Sequence, residues 1–256
     1  MQARLLGSAG WMPTDARETT CVYAREGDHV LLVDAGSGLR RLYTDPQLLD
    51  GVRRISVVLT HFHIDHISGL PFLHDLESIP EREILGPAEA VLRMSSAGLL
   101  HRLLDPPFFP SPALPAEVRE LALPRLSAGE FDVDLRIQPR HSHPTLAVRV
   151  NGELAVCTDT RYDEENVAFA HGARVLCHEA FRAAETTDDP GHTASGEAAR
   201  LAAAAEVERL VLIHLNPDLA DEELLRFARP HFPATDVGRD GLDLLESGAV
   251  DRNGTS

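Results

Sequence analysis

Four side chains of the kinds that bind metal ions lie within six consecutive residues of this 256-residue chain, namely His61, His63, Asp65 and His66. They follow the apolar, β-branched residues 55–59, a pattern typical of a strand. Alternate residues of an extended chain point the same way, so His61 and His63 can face one cation while the next two turn towards a helix. We interpret the run as a metal site, although a histidine-rich surface loop is the plainer alternative.

Three further candidate ligands each come within three residues after a short apolar run. They are His141, Asp159 and His214. Loops at strand ends commonly carry functional side chains. Taken singly, each could be an ordinary polar residue at a sheet edge. Taken together with the first run, these three residues predict a site for more than one metal ion.

Short apolar runs bounded by Gly, Asp, Asn or Pro must position these side chains. We expect strands over residues 20–24, 30–33, 55–59, 146–150, 154–157, 175–177 and 210–213. We expect helices over residues 88–92, 196–205 and 220–228. Ser195 or Thr193 is available as an N-cap for the second helix. Hairpin-like strands followed by strands alternating with helices predict a layered α/β domain.

The composition is that of a globular protein, with 43% hydrophobic and 25% charged residues. We expect one domain over residues 1–246 and a frayed polar tail over residues 247–256. No apolar stretch is long enough to span a membrane and no signal-like core follows the N-terminus, so a cytoplasmic protein without membrane contact is expected. The proline-rich residues 106–115 predict a rigid loop, with a lid or a dimer contact as the alternatives.

The net charge and the cysteine content limit the kinds of molecule that the chain is expected to bind and the kinds of site that it is expected to form. A formal net charge of −16 disfavours a long nucleic acid as partner, although a small phosphate ester remains compatible with it. The three cysteines, Cys21, Cys157 and Cys177, offer neither a disulfide framework nor a cysteine-based zinc site. Cys157 and Cys177 lie in strand-like runs, which predicts buried thiols.

The chain resembles the metallo-β-lactamase superfamily, and within it the ribonuclease Z-like phosphodiesterase branch. Beyond the histidine run, the resemblance is carried nearly end to end by motifs at residues 6–14, 34–38, 157–160, 178–181, 191–193 and 240–241. One departure is Thr158, which stands where the branch usually has Gly. The resemblance implies a four-layer αββα sandwich of two mixed β-sheets flanked by helices.

The resemblance also implies two divalent metal ions. Zn²⁺ suits imidazole and carboxylate ligands best, with Mn²⁺ or Fe as alternatives. The implied ligands of one ion are His61, His63 and His141. The implied ligands of the other are Asp65, His66 and His214, with Asp159 bridging both. His141 competes with His143 for its position; the branch usually has an Arg eight residues after this ligand, and Arg149 favours His141. His143 is then expected to face the substrate or to support a ligand.

In the resembled branch, a hydroxide that bridges the metals attacks phosphorus, and Asp65 belongs to the catalytic set. The resemblance makes His192 the general acid and pairs it with Glu179, which would orient the imidazole and favour its protonated form. A solvated loop residue is the alternative for His192. Thr193 and the start of the following helix are candidate phosphate contacts through free N–H groups. The implied activity is hydrolysis of a small phosphodiester, cyclic ones included.

Several alternatives share the first histidine run. Lactonases, thioesterases and β-lactamases of the superfamily usually have His-Thr-Pro-Gly-His where this chain has His-Ser-His-Pro-Thr at residues 141–145. A tRNA-processing enzyme would carry a long arm between His141 and Asp159, which here are only 18 positions apart. The phosphonate-pathway phosphodiesterase has a Cys-rich zinc site that this sequence lacks. A flavodiiron-like oxidoreductase would usually have Glu at His63, and a non-catalytic scaffold would usually lose ligands. Resembled relatives are often homodimers, so a homodimer is expected.

Overall fold

The computed structural model describes residues 1–110 and 114–245, and the chain there forms two β-sheets. The first sheet contains, in spatial order, β1 (Gln2–Gly7), β2 (Cys21–Glu26), β3 (His29–Val33), β4 (Arg54–Val58), β5 (Glu81–Gly86) and β6 (Glu117–Glu120). Strands β1 to β3 pair antiparallel, whereas β3 to β6 pair parallel. The sheet is therefore mixed, with its parallel strands running towards one edge.

The second sheet repeats this plan. Its strands, in chain order, are β7 (Arg125–Ala128), β8 (Phe131–Gln138), β9 (Thr145–Val150), β10 (Leu154–Cys157), β11 (Val175–Glu179), β12 (Arg209–Ile213) and β13 (Thr235–Val237). Strands β7 to β10 form antiparallel neighbours, and β10 to β13 form parallel ones. Each half of the chain thus begins with hairpins and continues with parallel strands.

Helices cover the outer faces of both sheets. Those in the first half are α1 (Arg41–Thr44), α2 (Ile64–Ile67), α3 (Ala88–Leu92) and α4 (Ser96–Leu104). Those in the second half are α5 (Glu165–Ala170), α6 (Ser195–Ala204) and α7 (Asp221–Ala228). Three short 3-10 turns accompany the first half, at Ser37–Arg40, Pro46–Leu49 and Leu70–Asp75. In the described residues, no helix is both long and apolar enough to cross a membrane.

Alternation along the strands sends side chains to different layers. In β3, Leu31 and Val33 pack between the two sheets, whereas Val30 and Leu32 pack against helices on the outer face. A third apolar cluster joins the second sheet to α5, α6 and α7. Three buried interfaces separate four layers, which confirms the predicted sandwich of two mixed sheets flanked by helices.

The predicted elements are present, with ends that differ by at most two residues. One detail is wrong: neither Ser195 nor Thr193 caps α6. Ala194 occupies the N-cap position, and its N–H donates to Glu197 Oε2 at 3.0 Å. Glu197 thus satisfies the N–H of the N-cap residue, whereas the predicted hydroxyl would have accepted an N–H from the first turn.

Two predictions concern segments outside the described residues. The frayed tail over residues 247–256 lies entirely beyond them, and the proline-rich residues 106–115 lie partly beyond them. The prediction of buried thiols is confirmed, since Cys157 and Cys177 are free and buried, as is Cys21.

Candidate metal centre

Strand ends from both sheets bring the candidate ligands together. His61 and His63 follow β4, and the short helix α2 carries Asp65 and His66. The second sheet contributes the loop between β8 and β9, the end of β10 and the end of β12, which carry His141, Asp159 and His214. Because parallel strands end at the same edge of a sheet, residues far apart in sequence meet in one place.

His192 lies with Asp159 and His214 in one group of donor atoms within 4.8 Å of one another, and two further such groups consist only of predicted ligands. One of these two is His61, His63, His141 and Asp159. The other is Asp65, His66 and His214. Asp159 stands between them: its Oδ1 lies 3.8 Å from His61 Nε2, and its Oδ2 lies 3.0 Å from His66 Nε2. The structure brings together all seven predicted ligands, and the ligand roles themselves stay predictions.

The chemistry of these donors fits divalent cations. The Nε2 atom of His61 is buried without a hydrogen-bond partner, and that of His66, 3.0 Å from Asp159 Oδ2, makes no well-directed hydrogen bond. Buried polar atoms in proteins are seldom left unsatisfied, and a metal ion would satisfy both. Burial, followed by neighbouring His66, lowers the pKa of His61 well below its usual value, which favours the neutral form that binds metal. Burial alone would raise the pKa of Asp159, but the surrounding histidines, His214 first, hold it well below its usual range.

Asp34, at the end of β3, fixes the orientation of His66. Its Oδ2 lies 2.7 Å from His66 Nδ1 and accepts a hydrogen bond from the Thr60 hydroxyl at 2.8 Å. Its Oδ1 accepts the Thr60 N–H at 2.7 Å. A carboxylate on Nδ1 selects the tautomer in which Nε2 is free to bind a cation.

Backbone strain accumulates around the centre. Asp34, Asp159 and His214 adopt left-handed conformations, with φ of 62°, 47° and 50°. Such conformations are costly for residues other than glycine and cluster at functional sites. Packing is equally tight at Gly10, where a Cβ atom would lie 2.6 Å from the His214 ring. The loop at residues 6–14 therefore needs glycine at this point to hold His214.

His192 and Glu179 form a separate pair beside the ligands. His192 Nδ1 lies 3.0 Å from Oε2 of the fully buried Glu179, whose Oε1 accepts the Thr160 N–H. Phe181 stacks on the His192 ring with 4.6 Å between centroids. Burial opposes protonation, but Glu179 outweighs it and raises the pKa of His192 to about 9. Cations in the ligand groups would lower the pKa of His192. Glu179 would oppose this effect, so that the protonated imidazole is still populated.

Neither His143 nor Thr193 lines the site pocket, and their substrate contacts stay predictions. His143 is exposed and does not line the site pocket; its ring lies 6.4 Å from that of His63. The Thr193 hydroxyl is buried and donates to the Thr160 carbonyl at 2.6 Å. His141 lies among the candidate ligands, whereas His143 does not.

Two N–H groups at the start of α6 are already engaged within the protein. The Ser195 N–H donates to the Arg182 carbonyl at 2.8 Å, and the Gly196 N–H donates to the Ala184 carbonyl at 3.0 Å. These two N–H groups are therefore engaged within the protein, and a phosphate contact through Thr193 stays a prediction. Arg149, which favoured His141 in the sequence, donates to the carbonyls of Phe169 and Gly152, so it braces the scaffold.

Sequence reasoning missed Asp189, which organises the loop that carries His192. Asp189 Oδ1 accepts the N–H groups of Gly191 and His192 at 2.9 and 3.1 Å. Asp189 Oδ2 accepts two hydrogen bonds from Arg182, at 2.9 and 2.6 Å. The Gly191 carbonyl in turn lies 2.9 Å from His141 Nδ1. The Asp-Pro-Gly sequence at residues 189–191, typical of a turn, was the available signal.

A pocket of about 670 Å³ opens over the ligands. Its floor includes His63, Asp65, Asp159, His192 and His214. Its walls include Trp11, Met12, Ile64, Phe181 and Pro217. The volume lies in the range of about 300–1,000 Å³ that is typical of sites for small molecules.

This fold and this histidine- and aspartate-rich centre define a hydrolase of the β-lactamase superfamily. Residues 29–215 match the family model described as "Beta-lactamase superfamily domain", and the chain belongs to that superfamily. The resemblance to its ribonuclease Z-like branch is confirmed by a curated relative. Ribonuclease Z of Synechococcus sp. (strain CC9902) is 29% identical over 319 positions, which cover 95% of this chain and 97% of the relative.

Two solved structures share the fold. The metallo-β-lactamase fold protein YhfI from Bacillus subtilis matches with a TM-score of 0.76 and 23% identity, over 94% of this chain and 98% of that protein. A diphosphatase from the PhnP family matches with a TM-score of 0.75 and 19% identity, over 95% and 96%. The grouped His and Asp side chains can bind metal.

Proposed function

We propose that this hydrolase is a dinuclear metal-dependent phosphodiesterase that acts on a small phosphodiester, cyclic nucleotides included. The observation that carries the proposal is the Glu179–His192 pair, which holds a proton donor beside both ligand groups in a pocket of small-molecule size. Hydrolysis of a phosphodiester with an alkoxide leaving group needs such a donor.

The chain's own residues have separate roles in the proposed reaction. The first ion would be held by His61, His63 and His141 and the second by Asp65, His66 and His214, with Asp159 shared. Bound there, the cations would activate water and stabilise charge on the phosphoryl oxygens. Water gives up a proton to the solvent, the resulting hydroxide bonds to phosphorus, and as the bond to the leaving oxygen breaks His192 gives its proton to that oxygen. Glu179 stabilises the imidazolium until transfer, and Asp34 holds His66 in the tautomer that would leave Nε2 free for an ion.

Charge and chain length favour a small substrate over a tRNA. The net charge is −16, and Arg182, a cationic residue in the pocket wall, is paired with Asp189. Strands β9 and β10 fill the segment between His141 and Asp159 as one hairpin. The alignment with the ribonuclease Z relative extends over 319 positions but includes only 95% of the 256 residues of this chain, so the relative has residues for which this chain has no counterpart. The name of that relative makes precursor tRNA the second substrate to test.

The first test is hydrolysis of bis(p-nitrophenyl) phosphate by protein loaded with zinc or manganese. We expect metal-dependent turnover that a chelator abolishes, and also turnover of a 2′,3′-cyclic nucleotide. His192→Ala should lower kcat on the cyclic nucleotide by about a hundredfold or more, because its leaving alkoxide needs a proton. The effect on bis(p-nitrophenyl) phosphate should be smaller, since p-nitrophenolate leaves without one.

His171→Ala, at an exposed histidine outside the pocket, is the matched control. A loss of less than tenfold on the cyclic nucleotide would exclude His192 as the general acid. Faster turnover of lactones, thioesters or β-lactams than of any phosphodiester would contradict the phosphodiesterase proposal itself. Efficient cleavage of precursor tRNA would replace the small substrate with RNA. The metal identity, the homodimer and the cytoplasmic location stay proposals alongside it.

A further inference from the structure

The wall of the site pocket that includes Trp11, Met12 and Ile64, here called the apolar wall, is exposed to solvent. Their exposed fractions are 67%, 49% and 57%. Single exposed apolar side chains are common on protein surfaces and need no explanation. Here, however, three of the eight large apolar side chains that are exposed in the described residues line one pocket, next to Asp65. A grouped apolar surface at the mouth of a site indicates binding.

Trp11 is held in place by its backbone, which leaves its side chain free. Its N–H donates to Asp65 Oδ2 at 2.8 Å, so the residue is tied directly to a candidate ligand. Its φ of 68° is a left-handed conformation that is unfavourable for a bulky residue. On either side, the Gly10 N–H donates to the Leu215 carbonyl and the Met12 N–H donates to the Gly10 carbonyl. The fold thus maintains a strained residue whose indole contributes little to the core.

The other aromatic ring of the pocket is already engaged. Phe181 stacks on His192 and lies 5.4 Å from the guanidinium of Arg182. Within residues 1–110 and 114–245, no aromatic ring stacks on Trp11. The face of the indole is therefore available to a ligand. Asp218 also lines the pocket, and Arg182 is neutralised by Asp189, so a second phosphate group would find little compensation there.

We propose that the apolar wall binds an aromatic ring of the substrate, stacked on Trp11, and that the substrate is a phosphodiester of a nucleoside. The proposal rests on the proposed function and adds a substrate class to it. A nucleobase combines a π-face with one ester-linked phosphate, which matches an indole placed beside a metal-binding floor. A sugar phosphate without a base would leave the apolar wall uncovered.

The test uses the indole itself, since Trp11 is the single tryptophan of the chain. The metal-loaded protein is titrated with adenosine 5′-monophosphate and with ribose 5-phosphate, which has a hydroxyl group in place of the base. We expect the nucleotide to change the tryptophan emission and to bind at least about tenfold more tightly than the sugar phosphate. By calorimetry, Trp11→Ala should weaken nucleotide binding about tenfold and leave ribose 5-phosphate binding unchanged.

Two variants serve as controls. Trp11→Phe should retain most of the preference for the nucleotide, which separates stacking from a general effect on the loop. Ile137→Ala, at an exposed apolar residue of β8 outside the pocket, should change neither affinity. Circular dichroism checks that each variant is folded; if Trp11→Ala does not fold, Trp11→Phe and the two wild-type titrations still decide the matter.

Equal affinity for the two ligands, or an unaltered preference in Trp11→Ala, would overturn the stacking proposal. Bis(p-nitrophenyl) phosphate hydrolysis, measured on the same preparation, separates this outcome from failure of the proposed function. Turnover of bis(p-nitrophenyl) phosphate combined with equal affinities for the two ligands would contradict only the proposed role of Trp11. A nucleotide-dependent change in tryptophan emission without turnover of any phosphodiester would support base binding at the apolar wall. It would contradict the proposed phosphodiesterase activity.

Discussion

At the scale of single residues, Asp34 controls the centre through His66. The Asp34 carboxylate is fully buried and lies 2.7 Å from His66 Nδ1. Asp34→Asn keeps the shape of the side chain but removes the charge and can present an amide N–H to the ring. We expect metal affinity to fall by about 10- to 100-fold, because such supporting carboxylates tune their histidines. Competition with a chromogenic chelator measures the affinity.

Asp28→Asn, in the exposed turn between β2 and β3, is the control for a general charge effect. It should leave the affinity unaltered. If Asp34→Asn binds both metals as tightly as the wild type, Asp34 supports the fold and not the centre.

Residue types and strand-end positions were sufficient to predict which side chains meet, but not their hydrogen bonds. The ligand candidates all come after recognisable strands, so the sheet edge collects them. Asp34 and His66 are 32 positions apart, and no spacing rule links such a pair before the fold is known. Thr193 shows the converse: its motif favoured a substrate contact, but the fold directs its buried hydroxyl to the carbonyl of Thr160, 33 positions away.

At the scale of elements, the loop between β11 and α6 is the part on which proton transfer depends. Asp189 ties His192 to the segment that follows Glu179, since one oxygen holds the His192 loop and the other holds Arg182. Asp189→Ala should lower kcat on a 2′,3′-cyclic nucleotide between about tenfold and a hundredfold, with a smaller change in KM. The effect on bis(p-nitrophenyl) phosphate should be slight.

Asp189→Asn keeps an acceptor for the two N–H groups and should restore part of the activity. Asp188→Ala, at the exposed neighbouring residue, is the matched control. Equal losses on both substrates would show that Asp189 supports the fold in general and does not position the general acid.

Most strands that are buried on both faces were predicted, whereas the charged strand β5 was missed, as were strand β1 and helix α4 although both contain buried leucines. Strands β3, β4, β10 and β12 are buried on both faces and read as continuous apolar runs. Strand β5 carries Glu81 and Glu83, which pair across strands with Arg54 and Arg119. Such cross-strand ion pairs support a strand without the hydrophobic alternation that sequence reasoning detects. Strand β13 has only three residues, too few for any pattern.

At the scale of the whole molecule, each of the three apolar clusters contains one cysteine. Cys177 lies between the sheets, Cys21 lies outside the first sheet, and Cys157 lies outside the second. Burial raises the pKa of Cys177 to about 12 and raises those of the other two thiols as well. At pH 8 the folded protein therefore presents no reactive thiolate, whereas unfolding exposes thiols of ordinary pKa, about 8.5.

We expect a thiol-specific reagent to leave the native protein unlabelled at pH 8. At increasing urea concentrations, peptide mass spectrometry should find all three cysteines labelled over the same range. That result would support the single domain predicted over residues 1–246. Labelling of Cys157 well before Cys21 would contradict it and would indicate that the second half of the chain opens independently.

The division of the ligands between the two sheets has a mechanical consequence. Four of the seven candidate ligands come from the first half and three from the second, and each of the two groups that consist only of predicted ligands draws on both halves. Ions held there would act as reversible cross-links between the two repeats of the fold. By mass action, each tenfold excess of free metal over its dissociation constant adds about 1.4 kcal/mol to the free energy of separating them. The concentration of free metal would then set the stability of the contact between the two repeats as well as the activity.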